Sequence, residues 1–148
     1  MAPNPNASPY VALPGEGEVL VPGRAMLRIS GQKTADAFEI LELGGPEGDG
    51  PPPHIHVDRH ELFYVLQGTV EFTVGHDTID AEAGSLIFVP RNTRHGFKLG
   101  PECKLLGLVA PAGLEGFFRE LGAGMAGGKS HMEIRERLEA KYDQHPVP

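Results

Sequence analysis

Between residues 18 and 109 the chain breaks into short runs of β-forming residues, each closed by glycine or proline. The runs fall at 18–21, 25–30, 38–43, 61–67, 69–74, around Ile79, and at 86–89, 95–99 and 105–109. Strand-length segments separated by turn residues every ten or so positions specify an all-β barrel or sandwich. They leave no room for the helical crossovers of a parallel α/β sheet. The 20 glycines and 14 prolines of this 148-residue chain supply the turns. Residues 69–74 alternate cleanly, with Val70, Phe72 and Val74 facing inward and Thr69, Glu71 and Thr73 outward. Residues 61–67 alternate Glu61, Phe63 and Val65 against Leu62, Tyr64 and Leu66. Both of those faces are largely apolar, which predicts a strand buried on both sides.

The C-terminal part has a different period. Leu114, Phe117, Phe118 and Leu121 recur at i, i+3, i+4 and i+7, the stripe of a short helix, with Gly122 as its expected stop. The glycine-rich stretch 122–128 reads as a flexible linker. Ser130 and Glu133 have capping-box spacing and open a second helix, with Ile134, Leu138 and Tyr142 on one side. The expected organisation is a flexible N-terminal arm over 1–9, a β-barrel over 10–111 and a helical tail over 112–148.

The chemistry concentrates in one run, Pro51-Pro52-Pro53-His54-Ile55-His56-Val57-Asp58-Arg59-His60-Glu61, and in His95. His54 and His56 are two apart, so a strand directs both to one face. Glu61 opens an apolar strand, where an unpaired carboxylate is costly. His95 arrives from a separate strand and shares a face with Phe97 and Leu99. Three imidazoles and a carboxylate suit one divalent transition metal per subunit, Fe, Ni, Mn, Co, Cu or Zn. Four protein donors leave coordination positions for substrate. The alternative for His54 and His56 is a solvated pair on an edge strand, for Glu61 a strand-end charge in solvent, and for His95 a satisfied core histidine. The three prolines at 51–53 lack backbone donors and stiffen the approach to His54.

Residues 54–68 read His-x-His-x4-Glu-x6-Gly, ending at Gly68, and residues 84–95 read Gly84-x5-Pro90-x-Asn92-x2-His95. These resemble the first and second motifs of the cupins over roughly residues 40–110. Residues 111–118 look like cupins of the small single-domain quercetin-dioxygenase-like group. The resemblance implies a double-stranded β-helix (cupin jelly roll) with short C-terminal helices, and His54, His56, Glu61 and His95 as metal ligands. Two positions depart from the pattern: Asn92 stands where the motif usually has glycine, and Leu99 where it often has asparagine. Leu99 implies a more apolar cavity floor.

The resemblance further implies a metal-dependent dioxygenase acting on a small aromatic or enolic, flavonol-like substrate with O2, and Glu61 as general base toward the substrate hydroxyl. The same scaffold supports isomerases, lyases and decarboxylases that use the metal as a Lewis acid, and non-enzymatic binding modules. Phe63, Phe72, Phe88, Phe97 and Leu99 are the candidate substrate-pocket residues. His60 alternates to the face opposite Glu61. His76, His131 and His145 read as exposed, and Arg91 and Arg94 as a solvated rim. Phe117 and Phe118 are placed either over the barrel mouth or on the outer sheet.

The formal net charge of −7 argues against nucleic-acid and anionic-membrane partners. Cys103 is the single cysteine, so no internal disulfide forms. The N-terminus has no signal-peptide pattern and no segment has the length of a membrane span, which sets the expectation of a cytoplasmic protein. A homodimer joined through β-strands is implied by the resemblance and supported by sheet edges that need covering.

Overall fold

The computed structural model describes residues 6–148. Two antiparallel sheets face each other. The larger contains β1 (Glu18–Val21), β2 (Ala25–Ile29), β3 (Glu39–Leu43), β10 (Lys104–Ala110), β5 (His60–Gln67) and β8 (Leu86–Val89), in that spatial order. The smaller contains β11 (His145–Pro146), β4 (His54–Ile55), β9 (His95–Leu99), β6 (Thr69–Val74) and β7 (Asp77–Glu82). Helices α1 (Glu115–Ala126) and α2 (His131–Leu138), with a 3₁₀ turn at Ala140–Tyr142, follow the strands. This is the all-β jelly roll with short C-terminal helices that the strand spacing and motifs imply.

Two apolar cores divide the interior. One lies between the sheets, built from Phe63, Val65, Val70, Phe72, Ala81, Ile87, Val89, Leu99, Cys103 and Leu105. The other joins β1–β3 to the helices through Leu20, Leu27, Leu41, Val109, Leu114, Phe117, Leu121, Ile134 and Leu138. The inward set of β6 is as the alternation predicts, with Val70 and Phe72 buried. Cys103 is buried as well.

The expectation that β5 is buried on both faces is corrected. Glu61, Phe63 and Val65 are buried, but Tyr64 and Leu66 are each 40% exposed, and their neighbours on β8, Leu86 and Phe88, are 66% and 59% exposed. The register pairs Leu62 with Phe88 and Tyr64 with Leu86 on that outer face. Helix α1 packs on β1 at the far end of the sheet instead. An apolar outer strand face and a doubly buried strand have the same composition, so the pattern alone does not separate them.

The tail also departs from its sequence reading. Gly122 does not stop α1; the helix continues to Ala126 and ends at Gly127. Gly122 is buried because helix and strand touch there: a Cβ at this position would collide with the Leu20 carbonyl of β1. A Cβ at Gly124 would press on Ile134 of α2. These glycines serve close packing and do not form a linker. The capping box at Ser130 is present, with Ser130 Oγ accepting from Glu133 N. The tail is not purely helical, since β11 pairs antiparallel with β4 (His145 with Ile55, Pro146 with His54). Most of the expected N-terminal arm, residues 1–5, lies outside the described residues. Within the described part, Ser8 N donates to Lys33 O at 3.2 Å.

Candidate metal centre

The open end of the barrel is where the strand before β5 and the first residue of β9 meet. His54 of β4 is paired in register with His95 of β9. His56 follows β4 directly, and Glu61 is the second residue of β5. All four are buried, from 1% exposed at His95 to 8% at Glu61. Their donor atoms lie within 4.8 Å of one another. Nε2 of His54 and of His56 are 3.2 Å apart. Glu61 Oε2 is 2.7 Å from His95 Nε2 and 3.3 Å from His56 Nε2.

The outer ring nitrogens decide the chemistry of this cluster. His54 Nδ1 donates to Pro52 O at 2.9 Å, His56 Nδ1 to Asp143 O at 2.7 Å and His95 Nδ1 to Thr93 O at 2.8 Å. A carbonyl only accepts, so each Nδ1 carries a proton, and each ring in its neutral form turns a lone pair inward on Nε2. In that form three lone-pair nitrogens and a carboxylate converge in a buried space. Neutral rings place no proton between His54 Nε2 and His56 Nε2. Such a set is completed by a cation. Neighbouring donor atoms bound at about 2.1 Å to one ion stand about 3 Å from each other, close to the three contacts of 2.7, 3.2 and 3.3 Å here. The residues present fit a divalent transition metal.

Charges respond to the same environment. Burial, with smaller contributions from His95 and His56, pushes His54 down to about 3, so its ring is neutral at physiological pH. In the metal-free protein burial opposes ionisation of Glu61, but hydrogen bonds from the Nε2 side of His56 and His95 outweigh it and hold the carboxyl well below the usual carboxylate range. Burial lowers His56 too, and the Glu61 hydrogen bond reverses this and raises it in the metal-free protein.

The approach to His54 is built by backbone. Gly48 N donates to Leu99 O, Leu99 N to Asp49 O and Phe97 N to Pro51 O, so the loop 44–53 lies along β9. Gly50 has φ 148°, and any Cβ there would strike the Phe97 carbonyl. Asn92 takes φ 63°, the left-handed conformation that explains why glycine is usual there, and asparagine tolerates it. Its N–H donates to His56 O at 2.7 Å, tying the second motif to the first.

A cavity of about 300 Å³ opens over Glu61, His54 and His95. Of the five candidate pocket residues, Phe63, Phe97 and Leu99 line it. Phe72 does not; it is fully buried behind them, its ring 5.2 Å from Phe63 and 5.3 Å from Phe97. Phe88 is corrected outright: it lies on the outer face of β8, because β8 pairs with β5 at Leu62 and not at a cavity-facing position. His60 also faces away, with Nδ1 accepting from Arg91 N. His131 is corrected from exposed to half-buried at the cavity wall, and burial lowers its pKa. His145 is half-buried as well, donating from Nε2 to Asp143 Oδ1. Arg94 is drawn off the rim by the carbonyls of Gly75 and Pro148. Phe118 lines the cavity, while Phe117 is buried beneath it.

Several contributors were not visible in the sequence. Arg135 and Gln144 line the cavity, with Arg135 Nη2 donating to Gln144 Oε1 at 3.0 Å. Arg24 and Asp49 form an ion pair at its edge. Asp143 holds His56. The left-handed Asp143 and the charged Arg135 inside an otherwise polar tail carried no motif, and only tertiary contact identifies them.

Comparison with known proteins agrees with this architecture. A family model of the cupin domain matches residues 44–106. The chain is 36% identical over 119 residues to a quercetin 2,3-dioxygenase of Bacillus subtilis (strain 168), covering 78% of this chain and 35% of that protein. It is 30% identical over 102 residues to a quercetin 2,3-dioxygenase of Aspergillus japonicus, covering 64% of this chain and 29% of that protein. The chain thus spans about a third of the length of these curated relatives. Among solved structures, the polyketide cyclase RemF from Streptomyces resistomycificus superposes with a TM-score of 0.56 at 26% identity, over 71% of this chain and 80% of that one. No helix among the described residues is long and apolar enough to cross a membrane. Jelly-roll sheets, both motifs and the relatives converge on one assignment: this chain is a cupin, similar to the quercetin dioxygenases, with a buried His-His-Glu-His cluster that could hold a metal ion.

Proposed function

We propose that the chain is a dioxygenase of small aromatic or enolic, flavonol-like substrates, with a divalent transition metal held by His54, His56, Glu61 and His95. The observation that carries this reading is the convergence of three inward Nε2 atoms and one carboxylate beneath a cavity walled in part by aromatic and aliphatic side chains. When bound, the metal supplies Lewis acidity and a redox centre for O2. The protein's own residues do the rest. The Pro52, Asp143 and Thr93 carbonyls hold Nδ1 of His54, His56 and His95, so that Nε2 of each ring would be the atom offered to a metal. Phe63, Phe97, Leu99, Leu114 and Phe118 form apolar walls that exclude water and suit a flat aromatic ring. Glu61, ionised at neutral pH, accepts the proton of the substrate hydroxyl at a carboxylate oxygen.

Similarity to a polyketide cyclase favours a second reading, Lewis-acid isomerase, lyase or decarboxylase chemistry that consumes no oxygen. The test is metal content per subunit in parent and His54→Ala, followed by oxygen uptake with quercetin on the metal-loaded protein. One equivalent lost in the variant, with oxygen consumed, supports the dioxygenase. Metal without oxygen uptake favours the second reading, and a parent that takes up no metal leaves a binding module.

We further propose a homodimer. The outer face of the larger sheet carries Leu86, Phe88, Tyr64 and Leu66 at 40–66% exposure, with half-buried Leu62, Leu106 and Leu108 between them. A second copy covering this face would bury that surface.

A further inference from the structure

Two of the three candidate imidazoles are oriented locally and one is not. Pro52 and Thr93 each stand two residues before the histidine they hold. Asp143, whose carbonyl accepts from His56 Nδ1, is 87 residues away in sequence. Asp143 sits at φ 57°, in the left-handed region, directly after the 3₁₀ turn. That conformation turns its carbonyl to His56 while its side chain serves the backbone beyond. Oδ1 accepts from Val57 N at 2.8 Å, and Oδ2 accepts from Asp58 N and Arg59 Nη1, each at 2.9 Å. One residue thus grips the ring of His56 and the three residues that follow it. The next residues extend the grip. Gln144 lines the cavity and accepts from the buried Arg135, and His145 and Pro146 pair with the strand carrying His54.

We infer that Asp143 is a positioning residue for His56, and that a bound metal ion and the docked C-terminal segment 139–147 stabilise each other. The inference rests on the metal reading of the cluster. A metal fixes His56 with Nε2 inward, which keeps Nδ1–H aimed at the Asp143 carbonyl. A docked Asp143 fixes the same tautomer and ring plane before the metal arrives. Linkage makes the effect reciprocal: whatever the segment adds to metal affinity, the metal adds to segment docking. Because Arg135 and Gln144 line the cavity, metal loading also firms the wall against which a substrate packs.

The test uses full-length protein and Ni²⁺ alone, with affinity read by chelator competition and segment docking by amide exchange at Gln144 and Val147. These amides donate to Glu139 O and Pro53 O. Asp143→Gly keeps the left-handed backbone and the carbonyl while removing the carboxylate; Asp143→Asn restores an acceptor oxygen and tolerates the same conformation. We expect Ni²⁺ affinity to fall by about 10–100-fold in Asp143→Gly and to recover in part in Asp143→Asn, whose amide offers one acceptor oxygen where the carboxylate offers two. In the parent, Ni²⁺ slows exchange at Val147, and this slowing disappears in Asp143→Gly. Parent-like Ni²⁺ affinity in Asp143→Gly, or exchange at Val147 indifferent to Ni²⁺ in the parent, overturns the inference while leaving the metal reading intact. If Asp143→Gly does not fold, the parent exchange experiment decides alone. A parent that binds no Ni²⁺, nor any other first-row divalent ion, removes the metal reading and this inference with it.

Discussion

Glu61 Oε2 stands 2.7 Å from His95 Nε2, so the single carboxylate of the cluster touches the imidazole delivered by the second motif. The proposed base is therefore also a member of the cluster that would hold the metal. Glu61→Gln keeps the shape and removes the charge. The variant is expected to fold and to retain metal through the three histidines, while oxygen uptake on quercetin drops by about 100-fold or more. Turnover equal to the parent in an oxygen-electrode assay would remove Glu61 from the chemistry.

Gly122 meets the Leu20 carbonyl where α1 crosses β1. Gly122→Ala adds one methyl to a contact with no free space, and the rigid backbone on the other side has to move. Helix propensity favours alanine by about 1 kcal/mol, yet overpacking costs about 1–3 kcal/mol. The expected result is a net loss of stability in urea unfolding. A more stable variant would show that the helix and strand separate easily.

Glu39 is fully buried, and its carboxylate accepts from Leu114 N at 2.7 Å and Glu115 N at 3.2 Å, at the start of α1. Burial pushes its pKa from 4.5 up to about 7. The folded protein therefore holds this proton between pH 4.5 and 7 while the unfolded chain has lost it. Stability contributed by Glu39 is complete below the lower value and declines as pH rises through the upper one, by about 3 kcal/mol in all. Unfolding of the parent and Glu39→Gln at pH 5.5 and pH 8 should show the parent losing stability relative to the variant at the higher pH. A pH-independent difference would place the carboxyl's titration in the ordinary range.

Phe88 and Leu86 lie opposite Leu62 and Tyr64 on the outer face of the larger sheet. Phe88→Lys places a charge at the middle of the proposed dimer surface without touching the cavity. Light scattering should report a dimer for the parent and a monomer for the variant, with metal content per subunit unchanged. A monomeric parent at micromolar concentration rejects the dimer.

How much of this was legible in the sequence follows from how local each feature is. The strand runs and their turns are local, and so an all-β barrel or sandwich, the inward set Val70 and Phe72, and the Ser130 capping box were all visible, while the jelly roll itself was implied by the resemblance of the two motifs to the cupins. The spacing of His54, His56 and Glu61 was visible for the same reason, since a two-residue period sets the face of a side chain regardless of what packs on it. Two readings failed because they depend on what lies across space. The apolar set Leu62, Tyr64, Leu66 and Phe88 says that a face wants covering, not that this chain covers it. The glycines at 122 and 124 read as a linker because glycine's low helix propensity is a local fact, while the Leu20 carbonyl and Ile134 that require them are remote.

The amino-acid order alone thus determined most of the strands and their turns and the inward face of β6, because periodicity and turn chemistry act over a few residues, and the two motifs singled out His54, His56, Glu61 and His95 as candidate donors. Tertiary structure alone decided which carbonyls fix the three imidazole tautomers, which side chains wall the cavity, and that Asp143 closes the C-terminal segment onto His56. Those contacts join positions up to 87 residues apart, and no local preference encodes a partner at that distance.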